Sequence, residues 1–421
     1  MEELKHVQLI KRNAESIVKD TLNDTPVTVI QGARQVGKST LAAMVSRDMN
    51  SMSVTLDSVT THAAAKENPY EFVSQYSEGL LIIDEIQKCP ELLGAIKLSV
   101  DENRKPGRYL ITGSANILNL RSANESLAGR AETIVVEPFS VGEVRGVKED
   151  FVSALLSEDI LAALRKERPL ARAEYAGLVE SGGYPEAQGR IAKRRNAFFK
   201  NYITRVLDHD ANELSGLAHL DQMQKIYTLL SGNPSQIYVR ANVSRLVGIP
   251  ESSMNGYIRL LEDLCLIHTL PAWGKNYSRR AINKPKIIMP DTGVVCSLHG
   301  MTGGFLADIE SGNELGPLLE AFVISEINKQ RTWSEIDYAL FHYRDCDKKE
   351  VDLVLELAGG RIIAIEIKAA SSCSTKDFAG MKVLREILGV RFHCGIVLYT
   401  GTEALPFGDR LFAAPISSIW Q

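Results

Sequence analysis

The sequence predicts an α/β protein that opens with a parallel sheet covered by helices. A charged helical stretch, a helix-turn-helix with a hairpin, and a second mixed helix–strand module follow. Three observations predict this. Residues 1–145 alternate β-branched runs with helical spacings. The octet G-A-R-Q-V-G-K-S at Gly32–Ser39 fits the phosphate-loop pattern G-x-x-x-x-G-K-[ST] without a mismatch. After residues 146–290, where long strand signals fade, residues 291–421 return to strand and helix. The expected boundaries are 1–145, 146–220 (a helical lid), 221–290 (a winged-helix module) and 291–421. The glycine-rich stretch Gly300–Gly316 reads as the linker before the last module.

Composition narrows the class. The 421 residues are 45% hydrophobic and 24% charged, as in an ordinary globular protein. A formal net charge of −4 excludes a global nucleic-acid signature, so any DNA contact must be a local patch. The six cysteines form no C-x-x-C pair, which argues against a zinc site or disulfide framework and suits a reducing compartment. No apolar run reaches the length of about 18 residues that a spanning helix needs, and Met1–His6 lacks the apolar core of a signal peptide. The expected location is the cytoplasm.

The strands expected in the first module are 26–31, 52–57, 79–84, 108–113 and 132–137. Pro26–Gln31 is a short β-branched run, and Ser39–Val45 carries apolar residues at helical spacing. The octet therefore lies between a strand and a helix N-terminus, where free N–H groups and the helix dipole favour phosphate. Gly32 and Gly37 let the backbone curl so that the amides of Ala33, Arg34, Gln35 and Val36 converge on an anion. Lys38 would reach the β- and γ-phosphates, Ser39 would ligate magnesium, and Thr40 is counted with the nucleotide-binding residues.

Leu80–Ile83 is an apolar run that ends in Asp84 and Glu85, as a buried strand delivering carboxylates at its C-terminal edge would. Asp84 would hold magnesium through water and Glu85 would orient the attacking water. Thr112 and Ser114, at the end of the next strand, are the candidates for sensing the γ-phosphate; both are also ordinary turn residues. Arg130 is a candidate for reaching a neighbouring subunit's γ-phosphate, a role that requires a homo-oligomer. A plain surface arginine reads the same way.

This set resembles the AAA-type ATPases of bacteria and archaea that end in a restriction-endonuclease-like domain of unknown function. The matching residues are the Gly32–Thr40 loop, Ile83–Gln87, Leu110–Ser114, Ser126–Arg130, Gly182–Glu186, Glu350–Asp352 and Ile365–Lys368. The resemblance covers nearly the whole chain. It implies an ATPase with AAA-type architecture and carries no settled biological role.

In the middle module, Val243–Pro250 reads as a short helix ending at a glycine turn. Glu251–Leu264 reads as a longer helix burying Met254, Tyr257, Ile258, Leu261 and Leu264. Cys265–Leu270 and Lys286–Met289 would form the hairpin of a winged helix. The intervening loop holds Lys275, Arg279, Arg280 and Lys284, interleaved with Trp273 and Tyr277 and free of acids. Such a loop can grip a phosphate backbone, with Ser253, Asn255 and Arg259 as readers.

In the last module, Ile363, Ile365 and Ile367 share one strand face, while Ala364, Glu366 and Lys368 share the other. Asp352 opens the preceding strand. An Asp followed by Glu-x-Lys on the next strand is similar to the PD-(D/E)xK nucleases, where the acids hold a divalent metal and the lysine positions or deprotonates water. Glu320, on the helix Leu318–Ile324, would be the acid supplied by the first helix.

The expectation is an ATP- and magnesium-dependent ATPase acting on DNA. Lys38, Asp84, Glu85, Arg130, Glu366 and Lys368 would do the chemistry, with Ser39, Asp84, Glu320, Asp352 and Glu366 as metal ligands. The alternative is a nucleotide-dependent switch that binds a protein partner through a catalytically silent C-terminal fold.

Overall fold

The computed structural model describes residues 9–113, 127–165, 168–211, 220–275, 284–310 and 314–420. The chain divides into two compact units, one ending at Glu149 (with Trp420) and one spanning Asp150–Ile419.

The first unit is built on a five-stranded parallel sheet: β1 (Val27–Gln31), β2 (Ser51–Thr55), β3 (Leu80–Asp84), β4 (Tyr109–Gly113) and β5 (Ala131–Val135). The spatial order is β2-β3-β4-β1-β5. Every expected strand is present, with ends shifted by at most two residues. β1 and β4 are buried along their whole length, which is why they read as apolar runs and not as alternations. Val29, Ile83 and Ile111 pack with Leu92 and Ile96 of the helix Glu91–Glu102 into one core. Each such fully buried side chain stabilises the fold by about 1.5–3 kcal/mol. The order places β4 between the loop-bearing β1 and the acid-bearing β3.

The second unit begins with helices, among them Arg172–Ser181 and Ala192–Arg205. Gly182 stops the first of these at φ +63°, and a Cβ there would meet Asp291 Oδ1 at 2.2 Å. The fully buried Asp291 accepts from the Gly183 N–H (2.7 Å) and the Val294 N–H (3.1 Å). The Gly182-Gly183 pair is thus a packed joint. The helix Arg240–Val247, capped by Gly248 in the left-handed region, is followed in the chain by the helix Met254–Asp263. A short antiparallel hairpin follows, β6 (His268–Leu270) with β7 (Lys286–Ile288).

Gly300–Gly316 departs from the linker reading. Gly303–Ala307 is helical, and the Gly303 N–H donates to Glu180 Oε2 at 2.6 Å, so this part of the stretch is packed. The long helix Leu315–Gln330 then leads to a six-stranded mixed sheet. Its strands are β8 (Tyr338–Arg344), β9 (Glu350–Leu357), β10 (Ile362–Lys368), β11 (Phe392–Tyr399), β12 (Leu405–Pro406) and β13 (Leu411–Pro415), in the order β12-β13-β11-β10-β9-β8. β9 and β10 are antiparallel, which brings Asp352 and Glu366 toward the same end of the sheet. Among the described residues, no helix is long and apolar enough to cross a membrane.

Candidate functional site

The loop Gly32–Gly37 leaves the C-terminal end of β1. Gly32 (φ +156°) is required sterically, because a Cβ there would lie 2.1 Å from the Val136 carbonyl oxygen. Gly37 (φ +95°) caps the helix Lys38–Val45, whose first turn has no side-chain cap and so presents its amides. Ala33 and Val36 are buried under the loop, Arg34 is half-buried, and Gln35 (φ +61°) and Thr40 face outward. Lys38 is almost fully buried. Its Nζ donates to the carbonyls of Gly32 (3.0 Å) and Ala33 (2.7 Å), which centres the ammonium in the loop.

Asp84 ends β3 opposite Thr112 of β4, two strands from the loop strand. Its Oδ1 accepts from Ser39 Oγ (2.8 Å) and from Thr112 Oγ1. Thr112 Oγ1 in turn accepts from the Glu85 N–H (3.3 Å). Glu85 takes a left-handed conformation (φ +60°), uncommon for a non-glycine residue and typical of functional sites, and its carboxylate accepts from Gln87 Nε2. The geometry thus gathers Lys38, Ser39, Asp84, Glu85 and Thr112 at one sheet edge. Ser114 lies outside the described residues. Ser39 Oγ and Asp84 Oδ1 are adjacent oxygen donors at an open position, a set that fits a magnesium ion also held by nucleotide phosphates.

Arg130 is placed elsewhere. It precedes β5 and so lies at the N-terminal edge of the sheet, about one strand length, roughly 17 Å, from the loop edge. It forms a two-point ion pair with Asp101 (2.6 and 2.8 Å) and also donates to the Ala128 carbonyl. It cannot serve the loop of its own chain from there. A residue that the sequence reading missed does reach the loop. Buried Arg12 donates to Val36 O (3.4 Å) and Glu137 O (2.7 Å) and pairs with fully buried Glu143 (3.1 Å). Burial lowers the Arg12 pKa, and Glu143 opposes that shift.

In the stretch read as a helix-turn-helix, Ser253, Asn255 and Arg259 are exposed as expected. Asn255, Arg259, Arg240 and Lys284 border an open cleft of about 610 Å³. Trp273 corrects the basic-loop reading. It is 3% exposed, lies in the core of the C-terminal sheet and packs against Tyr343 (6.3 Å between rings), so it cannot stack on a base. Tyr277, Arg279 and Arg280 lie outside the described residues.

The C-terminal acids do converge, but with a lysine among them. Lys286 Nζ sits 2.6 Å from Glu320 Oε1 and 3.6 Å from Asp352 Oδ1. Asp352 Oδ2 accepts from the Ile367 N–H (3.0 Å), and Lys368 Nζ donates to Glu366 Oε1 (2.7 Å). Burial pushes Glu320 up to about 7 and Glu366 up to about 8, with Asp352 adding to both shifts. Burial disfavours charged Lys286, yet Glu320 and Asp352 outweigh it and raise its pKa. Among the described residues, no group of three or more His, Cys, Asp or Glu side chains is arranged to hold a metal ion. Glu320, Asp352 and Glu366, the acids expected to hold a metal, lie in an ion-pair network with Lys286 and Lys368. In the sequence Lys286 reads only as the first residue of a wing strand.

Comparisons with known proteins bear on these sites unequally. Residues 24–145 match the family model "AAA domain". The N-terminal unit carries a P-loop domain of the AAA type. Residues 172–304 and 315–419 each match a domain of unknown function, DUF8612 and DUF4143 respectively. The uncharacterized proteins Rv2008c of Mycobacterium tuberculosis and Mb2031c of Mycobacterium bovis are each 26% identical over 97% of this chain and 84% of their own length. Among solved structures, the Walker-type ATPase PABY2304 of Pyrococcus abyssi is 15% identical, over 71% of this chain and 98% of its own, with a TM-score of 0.43. AMPPCP-bound DnaA from Aquifex aeolicus is 14% identical, over 60% and 89%, with a TM-score of 0.28.

Proposed function

We propose that the chain binds ATP with magnesium at the Gly32–Thr40 loop, hydrolyses it, and uses the cycle to act on DNA through its helix-turn-helix. The observation that carries the ATPase reading is the meeting of Ser39, Thr112 and the Glu85 amide around Asp84. Lys38 would exchange the loop carbonyls for phosphate oxygens. Ser39 and Asp84 would hold the ion, which supplies charge neutralisation at the phosphates. Glu85, held at the strand end, would orient the attacking water, and Thr112 would register whether Asp84 is engaged. Arg130 would act in trans on a neighbouring subunit after release from Asp101, which makes the active form a homo-oligomer.

The DNA reading is supported by exposed Arg259 and Lys284 beside Asn255 at the mouth of the cleft. ATP turnover measured with single-stranded, duplex and branched DNA tests it, with stimulation by at least one form expected. If DNA changes neither turnover nor binding, the reading fails. The buried position of Trp273 favours a second reading, a nucleotide-dependent switch for a protein partner. ATP-dependent retention of one defined protein with no DNA bound would select it. The nuclease-like relationship of the last module rests on the order Glu320, Asp352, Glu366-x-Lys368 on one helix and two antiparallel strands.

A further inference from the structure

We infer that Lys286 is a built-in cation occupying the position a divalent metal would take between Glu320 and Asp352, so that the C-terminal acidic site is a closed ion-pair network that does not take up magnesium or manganese. Three observations converge on this. The first is position: the Lys286 ammonium contacts Glu320 Oε1 and lies 3.6 Å from Asp352 Oδ1, with its side chain 7% exposed. An ion ligated by both carboxylates would have to overlap this nitrogen or lie against it, and two cations in contact exclude one another.

The second is the use of two further oxygens. Asp352 Oδ2 is taken by the Ile367 amide and Glu366 Oε1 by Lys368. Magnesium demands near-octahedral oxygen ligation, and two lysines and a backbone amide already draw on these acids. Nearby His342, 2% exposed and pushed down to about 4 by burial, stays neutral and brings no compensating charge.

The third is anchorage. Lys286 belongs to β7, paired with Leu270 on one side and bridged to Ile237 on the other. The Ile287 N–H donates to Gln236 O (3.1 Å) and the Tyr238 N–H to Pro285 O (2.7 Å). The hairpin end is fastened to the C-terminal sheet by the His342 N–H to Pro271 O (2.9 Å) and the Trp273 N–H to His342 O (2.6 Å). Strand pairing on both sides fixes the Lys286 backbone beside these acids. The lysine thus couples the hairpin to the helix Leu315–Gln330 and to β9, and the module cleaves no nucleic acid with a metal of its own.

Iron-directed cleavage tests this on the full-length protein, independently of whether the chain binds DNA. Fe(II) with ascorbate and peroxide cuts backbone near any bound iron, and mass spectrometry locates the cuts. For the wild type, cuts within 350–357 and 362–368 are expected to be absent. Lys286→Met is expected to gain cuts in both strands, and Lys286→Arg to gain none. Wild-type cuts in those strands would overturn the inference, as would a folded Lys286→Met protein that gains none. Circular dichroism and melting establish folding. If Lys286→Met does not fold, the wild-type and Lys286→Arg patterns decide, and cuts beside Glu366 in either refute the inference.

Discussion

Replacing Arg12 by methionine should destabilise the N-terminal unit and loosen the phosphate loop together. The guanidinium is 5% exposed and its partner Glu143 is fully buried, so the substitution strands a carboxylate in the interior. Removing one partner of such a pair costs about 3–5 kcal/mol. Glu143 keeps the Asn13 amide (2.8 Å) and the Ser140 amide (3.1 Å), which places the expected loss near the lower end. At 1.4 kcal/mol per tenfold, about 3 kcal/mol speeds the opening-limited exchange of the β1 amides by roughly 150-fold. Hydrogen exchange read by mass spectrometry over Val27–Gln31 measures this in the full chain. The double variant Arg12→Met/Glu143→Gln should recover part of the loss, because it removes the stranded charge. ATP affinity should fall in the single variant, since Val36 O loses its donor. Exchange within fivefold of wild type, or a double variant worse than the single, would refute the reasoning.

Further outcomes are expected. Lys38→Ala should abolish ATP turnover while leaving circular dichroism unchanged, and Glu85→Gln should bind ATP in filter assays but retain it unhydrolysed. Mixing Lys38→Ala with Arg130→Ala, each inactive alone, should restore turnover if the arginine acts across subunits, and additive inactivity would assign it to the Asp101 pair. Thr112→Val removes the hydroxyl shared by Asp84 and the Glu85 amide and should lower kcat about 10–100-fold with little change in KM. Burial raises Glu320 and Glu366 above their usual 4.5, with Lys286 and Lys368 pulling the other way. The folded state therefore binds more protons above pH 4.5. This contribution is fully present below the unfolded pKa and is lost as pH rises through the folded values. The melting temperature of the C-terminal unit should fall between about pH 4.5 and 8, and Glu366→Gln should flatten the slope.

The contrast between Lys38 and Lys286 shows what the sequence made legible. Lys38 and Ser39 stand out in the sequence through the G-x-x-x-x-G-K-[ST] spacing, and Asp84, Glu85 and Thr112 through their places at or just past the ends of short apolar runs, which parallel strands bring to one edge. Lys286 was not readable as a site residue, because it lies 34 positions before Glu320 and the contact depends on how a hairpin meets a helix. Arg12 was hidden for the same reason. Trp273 misled because an aromatic beside basic residues reads alike whether it faces solvent or fills a core. Gly303 looked like linker, yet a Cβ there would lie 2.8 Å from Glu180 Oε2, so the glycine lets the Gly303–Ala307 helix approach Arg172–Ser181 while its amide meets Glu180.

The shared oxygen of Asp84 has a consequence for signalling within the unit. Ser39 belongs to the helix after the loop, Thr112 to the central strand, and the Glu85 amide to the turn beyond β3, yet all are linked through one carboxylate oxygen and one hydroxyl. Any event that draws Asp84 away from Ser39 also changes what Thr112 donates to, and hence how firmly the Glu85 backbone is held. If the loop takes ATP as proposed, its occupancy and the setting of Glu85 would be coupled through Ser39, Asp84 and Thr112.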